Sequence, residues 1–181
     1  MWSVIDESDR QQWDYVPMAS VGPLRFGMSP QEARAVLEAR GFTGSLSPLR
    51  PEHGALTRKA EFRDGTAPRF SVAVTLYYRD SEGLTCVAVD ALCGPQVFLD
   101  GMRLVGRAPS ELLDEFFDHM TRRGVPRTVS VEGDAASDEL GIMIRAQRAG
   151  DILLTRAFFA QPEGWACTVH DCLPVPEGDI R

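Results

Sequence analysis

Apolar and polar positions change period several times along this chain. Gly27-Met28-Ser29-Pro30-Gln31-Glu32 opens a helix. Ser29 offers a hydroxyl to a free backbone N–H, Pro30 needs no N–H at the first helical position, and Glu32 completes a capping box. Ala33, Val36 and Leu37 follow at helical spacing and Gly41 ends the run, so a helix is predicted over 30–40. A second helix is predicted over 109–123, where Leu112, Leu113, Phe116, Phe117 and Met120 make one apolar stripe. Arg122 and Arg123 close it where the helix dipole favours cations, and Gly124 and Pro126 stop it.

Period two marks the strands. In Arg69–Arg79 the residues Phe70, Val72, Val74, Leu76 and Tyr78 share one face, and Ser71, Thr75 and Arg79 share the other. Asp80-Ser81-Glu82-Gly83 turns into a second strand over 84–92, making a hairpin. Two short strands flank Asp100-Gly101, and 128–131, 140–147 and 152–159 read as strands with Ala149-Gly150 as a turn. A last strand is expected over 166–170. Residues 3–15 read as a short helix or an ordered arm, 43–68 as a long loop with a short strand near 59–63, and 132–139 as a solvated acidic loop.

The expected fold class is α+β, an antiparallel sheet with two amphipathic helices packed on one face. The expected organisation is an arm over 1–23, a helix–hairpin half over 24–93, a second over 94–172, and a loose tail over 173–181. Pro30-Gln31-Glu32 and Pro109-Ser110-Glu111 open the two helices. A tandem duplication and convergent helix-start chemistry explain that likeness equally well.

Composition narrows the function classes. The chain has 181 residues, 44% of them hydrophobic and 25% charged, which excludes wholesale disorder. A net charge of −7 argues against a nucleic-acid partner. No apolar run approaches the ~20 residues that cross a bilayer, so no membrane partner is expected. Met1-Trp2-Ser3-Val4 does not open a signal peptide, and a cytoplasmic location is expected. Lys59 is the only lysine and asparagine is absent, a bias of high-GC bacterial genomes.

Chemistry is mostly missing. There is no G-x-G-x-x-G, no Walker lysine pattern, no G-x-S-x-G elbow and no H-E-x-x-H. His53 reads as a solvated loop residue, and His119 lies one turn after Glu115, a spacing that an ordinary i,i+4 contact explains. Cys167, His170 and Cys172 are the densest soft ligands, yet an extended strand turns only His170 and Cys172 to one side, and zinc needs three or four ligands. Cys86 and Cys93 read as buried free thiols. Neither a catalytic residue, a metal nor a cofactor is expected. The candidate binding residues are Tyr77, Tyr78, Arg79, Arg145, Arg156, Phe158, Phe159 and Trp165, because adjacent aromatics on a strand face opposite sides and one ring of each pair then stands outward beside arginine.

Phe26-Gly27-Met28-Ser29-Pro30-Gln31-Glu32-Ala33 resembles the helix opening of the BamE and β-lactamase-inhibitor-protein group of small α+β modules. The resemblance implies a helix packed on an antiparallel sheet, and a protein that binds other proteins instead of catalysing. This chain departs from the group in having neither the lipid-anchored cysteine of BamE nor the paired disulfides of the inhibitors. The expected function is a non-enzymatic protein-binding module, most concretely a toxin-immunity or inhibitor protein, whose open sheet face holds a protein partner. The net acidity points to a basic partner. The competing expectation is a small enzyme or small-ligand binder with a pocket between sheet and helices near His119, His170 or Cys172. A third is a homodimer joined through sheet edges.

Overall fold

The computed structural model describes residues 3–52, 55–65, 71–129 and 133–161. A 3-10 turn at Glu7–Asp9 leads into β1 (Gln12–Val16), β2 (Ser20–Val21), β3 (Leu24–Arg25) and α1 (Pro30–Glu38). The chain continues through β4 (Phe42–Leu46), β5 (Arg50–Glu52), β6 (Ala55–Asp64), β7 (Val74–Arg79) and β8 (Gly83–Val89). Its second half runs β9 (Gln96–Leu99), β10 (Met102–Arg103), α2 (Pro109–Arg123), β11 (Thr128–Val129), β12 (Ala135–Ser137), β13 (Ile142–Ala149) and β14 (Ile152–Ala160).

The strands form two sheets. The larger has the order β11-β12-β13-β14-β8-β7-β6-β4, with β5 also on β6, and every pairing in it is antiparallel. Each half of the chain thus supplies a helix followed by antiparallel strands, and the halves meet where β8 pairs β14. The smaller sheet has the order β10-β9-β1-β2-β3. The fold is α+β, as its sequence implies.

Both helices lie on one face of the large sheet. Ala33 and Leu37 of α1 and Leu112, Phe116 and Met120 of α2 share one buried cluster with Leu76 and Tyr78 of β7, Val87 and Val89 of β8, and Ala157 and Phe159 of β14. The α1 start is capped as its sequence dictates. Ser29 Oγ accepts from the Glu32 N–H at 3.2 Å, and the Glu32 carboxylate accepts from the Ser29 N–H at 2.8 Å. These bonds hold the Glu32 carboxyl below the usual carboxylate range. The glycine before the cap has its own reason. Gly27 sits at φ +87° and donates to the Leu84 carbonyl, while the Leu84 N–H donates to the Met28 carbonyl, so this turn is stitched onto β8.

Three expectations are corrected. Residues 3–15 are neither a helix nor an arm. Trp13 and Tyr15 alternate inward on β1, which pairs in parallel with β9 from the second half. The long loop expected over 43–68 holds β4, β5 and the ten-residue β6. Within the expected acidic loop, Ala135–Ser137 is a buried strand on the edge of β13. The expected strand over 166–170 lies outside the described residues.

Two buried polar side chains tie the halves together. Arg10 is 5% exposed and donates to the carbonyls of Ala91, Leu92 and Gly94, which belong to the turn between β8 and β9. Burial pulls its pKa down, against the Glu7 carboxylate that holds it up. Gln96 has no exposed surface, and its side-chain amide bonds backbone groups of Leu104 and Val105 as well as Glu7. Such completely paired polar groups make one arrangement of the connection far better than its alternatives.

Candidate functional site

The side-chain period of a strand decides where each expected binding residue goes. Tyr78 and Phe159 join the helix-covered core, whereas Tyr77 and Phe158 belong to a separate cluster with Cys86, Ala88, Ala136, Met143 and Ala160. The two aromatic pairs therefore split across the sheet as expected. The outward rings are a correction: Tyr77 is 2% exposed and Phe158 not at all, so neither ring of either pair is offered to solvent. Trp165 and His53, like Cys167, His170 and Cys172, lie outside the described residues.

The charged members of the set stand on the same side as Tyr77 and Phe158. Arg145 and Arg156 are direct cross-strand partners in the β13–β14 register, and Met143 pairs Phe158 one step further along that face. Both guanidinium groups reach over the Phe158 ring, at 5.6 Å and 4.9 Å from its centroid. Arg145 is also bonded to Asp134 at 2.8 Å. On β6 and β7 the registers Lys59↔Tyr77, Glu61↔Thr75 and Thr57↔Arg79 place Lys59, Glu61 and Arg79 on this face, with Arg63 beyond them. Lys59 bonds Glu61 at 2.9 Å, and Arg79 lies 3.6 Å from Glu82.

The result is a face whose charge runs against that of the whole chain. Lys59, Arg63, Arg79, Arg145 and Arg156 stand on it, against Glu61 and Asp134. Its centre is apolar and buried, and its polar flanks are partly exposed. Sequence reading found three of the five cations through their aromatic neighbours. It missed Lys59 and Arg63, because β6 was read as loop and alternation was not applied there.

The alternatives to a binding face find few reactive groups. His119 does not pair with Glu115, which instead bonds Arg107 at 2.5 Å. His119 Nε2 lies 3.2 Å from Asp100 Oδ2, which Arg123 approaches to 2.6 Å. Asp100 holds a left-handed φ of +49° at the hairpin turn, so these contacts clamp the β9–β10 turn onto α2. Cys86 and Cys93 are buried free thiols. Burial, with the Asp90 carboxylate beside it, pushes the Cys93 thiol up to about 12, so it is protonated and a poor nucleophile at neutral pH. Among the described residues no three His, Cys, Asp or Glu side chains are grouped to hold a metal. No helix among them is long and apolar enough to cross a membrane.

Two hollows lie beside α1. A cleft of about 420 Å³ opens at its N-terminus between Ser29, Leu49, Arg58, Tyr78 and Glu82, and holds neither histidine nor cysteine. The Tyr78 hydroxyl is buried without a hydrogen-bond partner, and burial raises its pKa. A smaller groove of about 170 Å³ runs between α1 and β4. No family model, no curated protein and no solved structure matches this chain.

Proposed function

We propose that this protein is a non-enzymatic binding module that holds a protein partner against the face of its large sheet opposite the helices. The observation that supports the reading is the concentration of Lys59, Arg63, Arg79, Arg145 and Arg156 on one face of a chain with a net charge of −7. Like charges set directly opposite each other, as at Arg145 and Arg156, cost stability. A local field of this sign steers an acidic surface toward the face and raises its association rate. This reverses the partner's sign from the one the net charge suggests, because a docking partner meets the local patch before it senses the average.

The resemblance of Phe26–Ala33 to the opening of small protein-binding α+β modules supports the same class, and a tandem of two halves sharing one sheet is the arrangement that resemblance implies. An immunity or inhibitor role is its most concrete form, carried out in the cytoplasm.

The test pairs the native protein with a Lys59→Glu/Arg63→Glu/Arg79→Glu variant, both immobilised and exposed to lysate of the source cell at low salt. These side chains are partly exposed, so the variant should fold. The reading expects a stoichiometric acidic protein on the native chain that is lost from the variant and from high salt. Equal retention on both, or none on either, would contradict it.

A further inference from the structure

The outermost strand of the large sheet, β4, pairs with β6 on one side and with no strand on the other among the described residues. The Ser47 N–H donates to the Lys59 carbonyl at 2.7 Å. In an antiparallel ladder the inward and outward residues alternate, so Thr43 and Ser45 turn their backbone groups toward β6, and Gly44 and Leu46 turn theirs away from it. Natural edge strands are usually guarded by charge, proline or a bulge. Phe42-Thr43-Gly44-Ser45-Leu46 carries neither charge nor proline. At the other end of the sheet β11 is only two residues long and follows Pro126 and Arg127.

The groove beside this edge lies where an added strand would put its side chains. Pro30, Gln31 and Arg34 of α1 form one wall, and Gly44, Leu46 and Phe62 form the other. Gly44 and Leu46 pair with Phe62 and Ala60 and so share the helix-facing side. The Phe62 ring occupies the space that a Cβ on Gly44 would take. Leu46 is 42% exposed, one of the few large apolar side chains open to water. A strand laid antiparallel along β4 would send every second side chain into this groove. The intervening side chains would emerge beside Thr43 and Ser45, on the side where Lys59 and Arg63 stand.

We infer that β4 is a strand-addition site for an extended segment of an acidic partner, with aliphatic side chains in the α1 groove and carboxylates toward Lys59 and Arg63. This rests on the reading above that the cationic face holds a protein partner, and it adds the backbone mode of contact. The outward N–H and C=O groups of Gly44 and Leu46 would exchange hydrogen bonds with that segment, and those bonds do not depend on its sequence. The alternation of aliphatic and acidic side chains gives the selectivity.

The probe is a blocked peptide alternating glutamate and valine, titrated into the full-length isotope-labelled protein and followed by amide NMR and hydrogen exchange. The Gly44 and Leu46 amides should shift and become protected. N-methylation of the valine nitrogens, or the variant Leu46→Lys, should each weaken binding by about tenfold or more, the loss of one or two well-placed contacts. The Lys59→Glu/Arg63→Glu variant should weaken it too. Shifts confined to the neighbourhood of Lys59 and Arg63, with Gly44 and Leu46 still exchanging freely, would overturn strand addition and leave the cationic face as a partner site. Absence of any shift, or equal binding of the N-methylated peptide, would also overturn it. So would protection of Gly44 and Leu46 that grows with protein concentration in the absence of peptide, since the occupant would then be a second copy.

Discussion

Gln96 offers a quantitative check on how the two halves are held together. It has no exposed surface. Its Nε2 donates to the Val105 carbonyl and to Glu7 Oε1, both at 2.9 Å. Its Oε1 accepts from the Leu104 N–H at 3.1 Å and the Val105 N–H at 2.9 Å. Gln96→Leu keeps the bulk and removes all four contacts. The Leu104 N–H retains its bond to the Val97 carbonyl at 3.0 Å, and Glu7 still faces Arg10 and Arg103. Both backbone groups of Val105 are left buried and unpaired. At roughly 1–3 kcal/mol for each orphaned group, the variant should lose about 2–6 kcal/mol. That is a large part of the ~5–15 kcal/mol that stabilises a typical domain. Equilibrium urea unfolding is the assay, with the midpoint falling and the slope unchanged. Gln96→Glu keeps the acceptor but loses both donors and faces the Glu7 carboxylate, so it should be destabilised as well. A loss under about 1 kcal/mol for Gln96→Leu would mean that water or backbone adjustment satisfies Val105, and the reasoning from orphaned groups would fail.

Other positions give sharper local tests. Ser29→Ala removes the α1 cap and should cost about 1 kcal/mol in the same unfolding assay. Gly44→Ala pushes a methyl into the Phe62 ring and should cost about 1–3 kcal/mol, with the β4 and β6 amides losing exchange protection first. Cys93 should resist alkylation in the folded state at neutral pH, read by peptide-resolved mass spectrometry. Because its thiol titrates near 12, the thiolate appears only in strongly alkaline solution. Rapid labelling of Cys93 at pH 7 without unfolding would contradict that placement.

The helices were legible because their signals are local. Ser29, Pro30 and Glu32 satisfy the orphan N–H groups at the start of α1 without help from the rest of the chain, and Gly124 ends α2 at a left-handed φ of +67°. Hairpins with one apolar face were legible for the same reason, as at Val74, Leu76 and Tyr78. Strand β6 was not, since only Ala60 and Phe62 mark its inner face between charged neighbours. Strand β1 offered Trp13 and Tyr15 in alternation, but its partner β9 lies half a chain away, and a parallel pairing leaves no turn signal. At the candidate site, alternation correctly separated Tyr77 from Tyr78 and Phe158 from Phe159. It gave no information on cover, because whether a ring that faces away from the helices meets solvent is decided by tertiary packing. Net charge misled in a similar way, being an average over a surface whose cations gather on one face.

The most direct measurement is the association rate of the captured partner as a function of ionic strength, for the native chain and for Lys59→Glu/Arg63→Glu. A cationic docking face predicts a rate that falls steeply as salt rises, and a variant that is slower at low salt and nearly insensitive to it. A native rate that ignores salt, or that rises when these two cations become carboxylates, would contradict the assignment of this face.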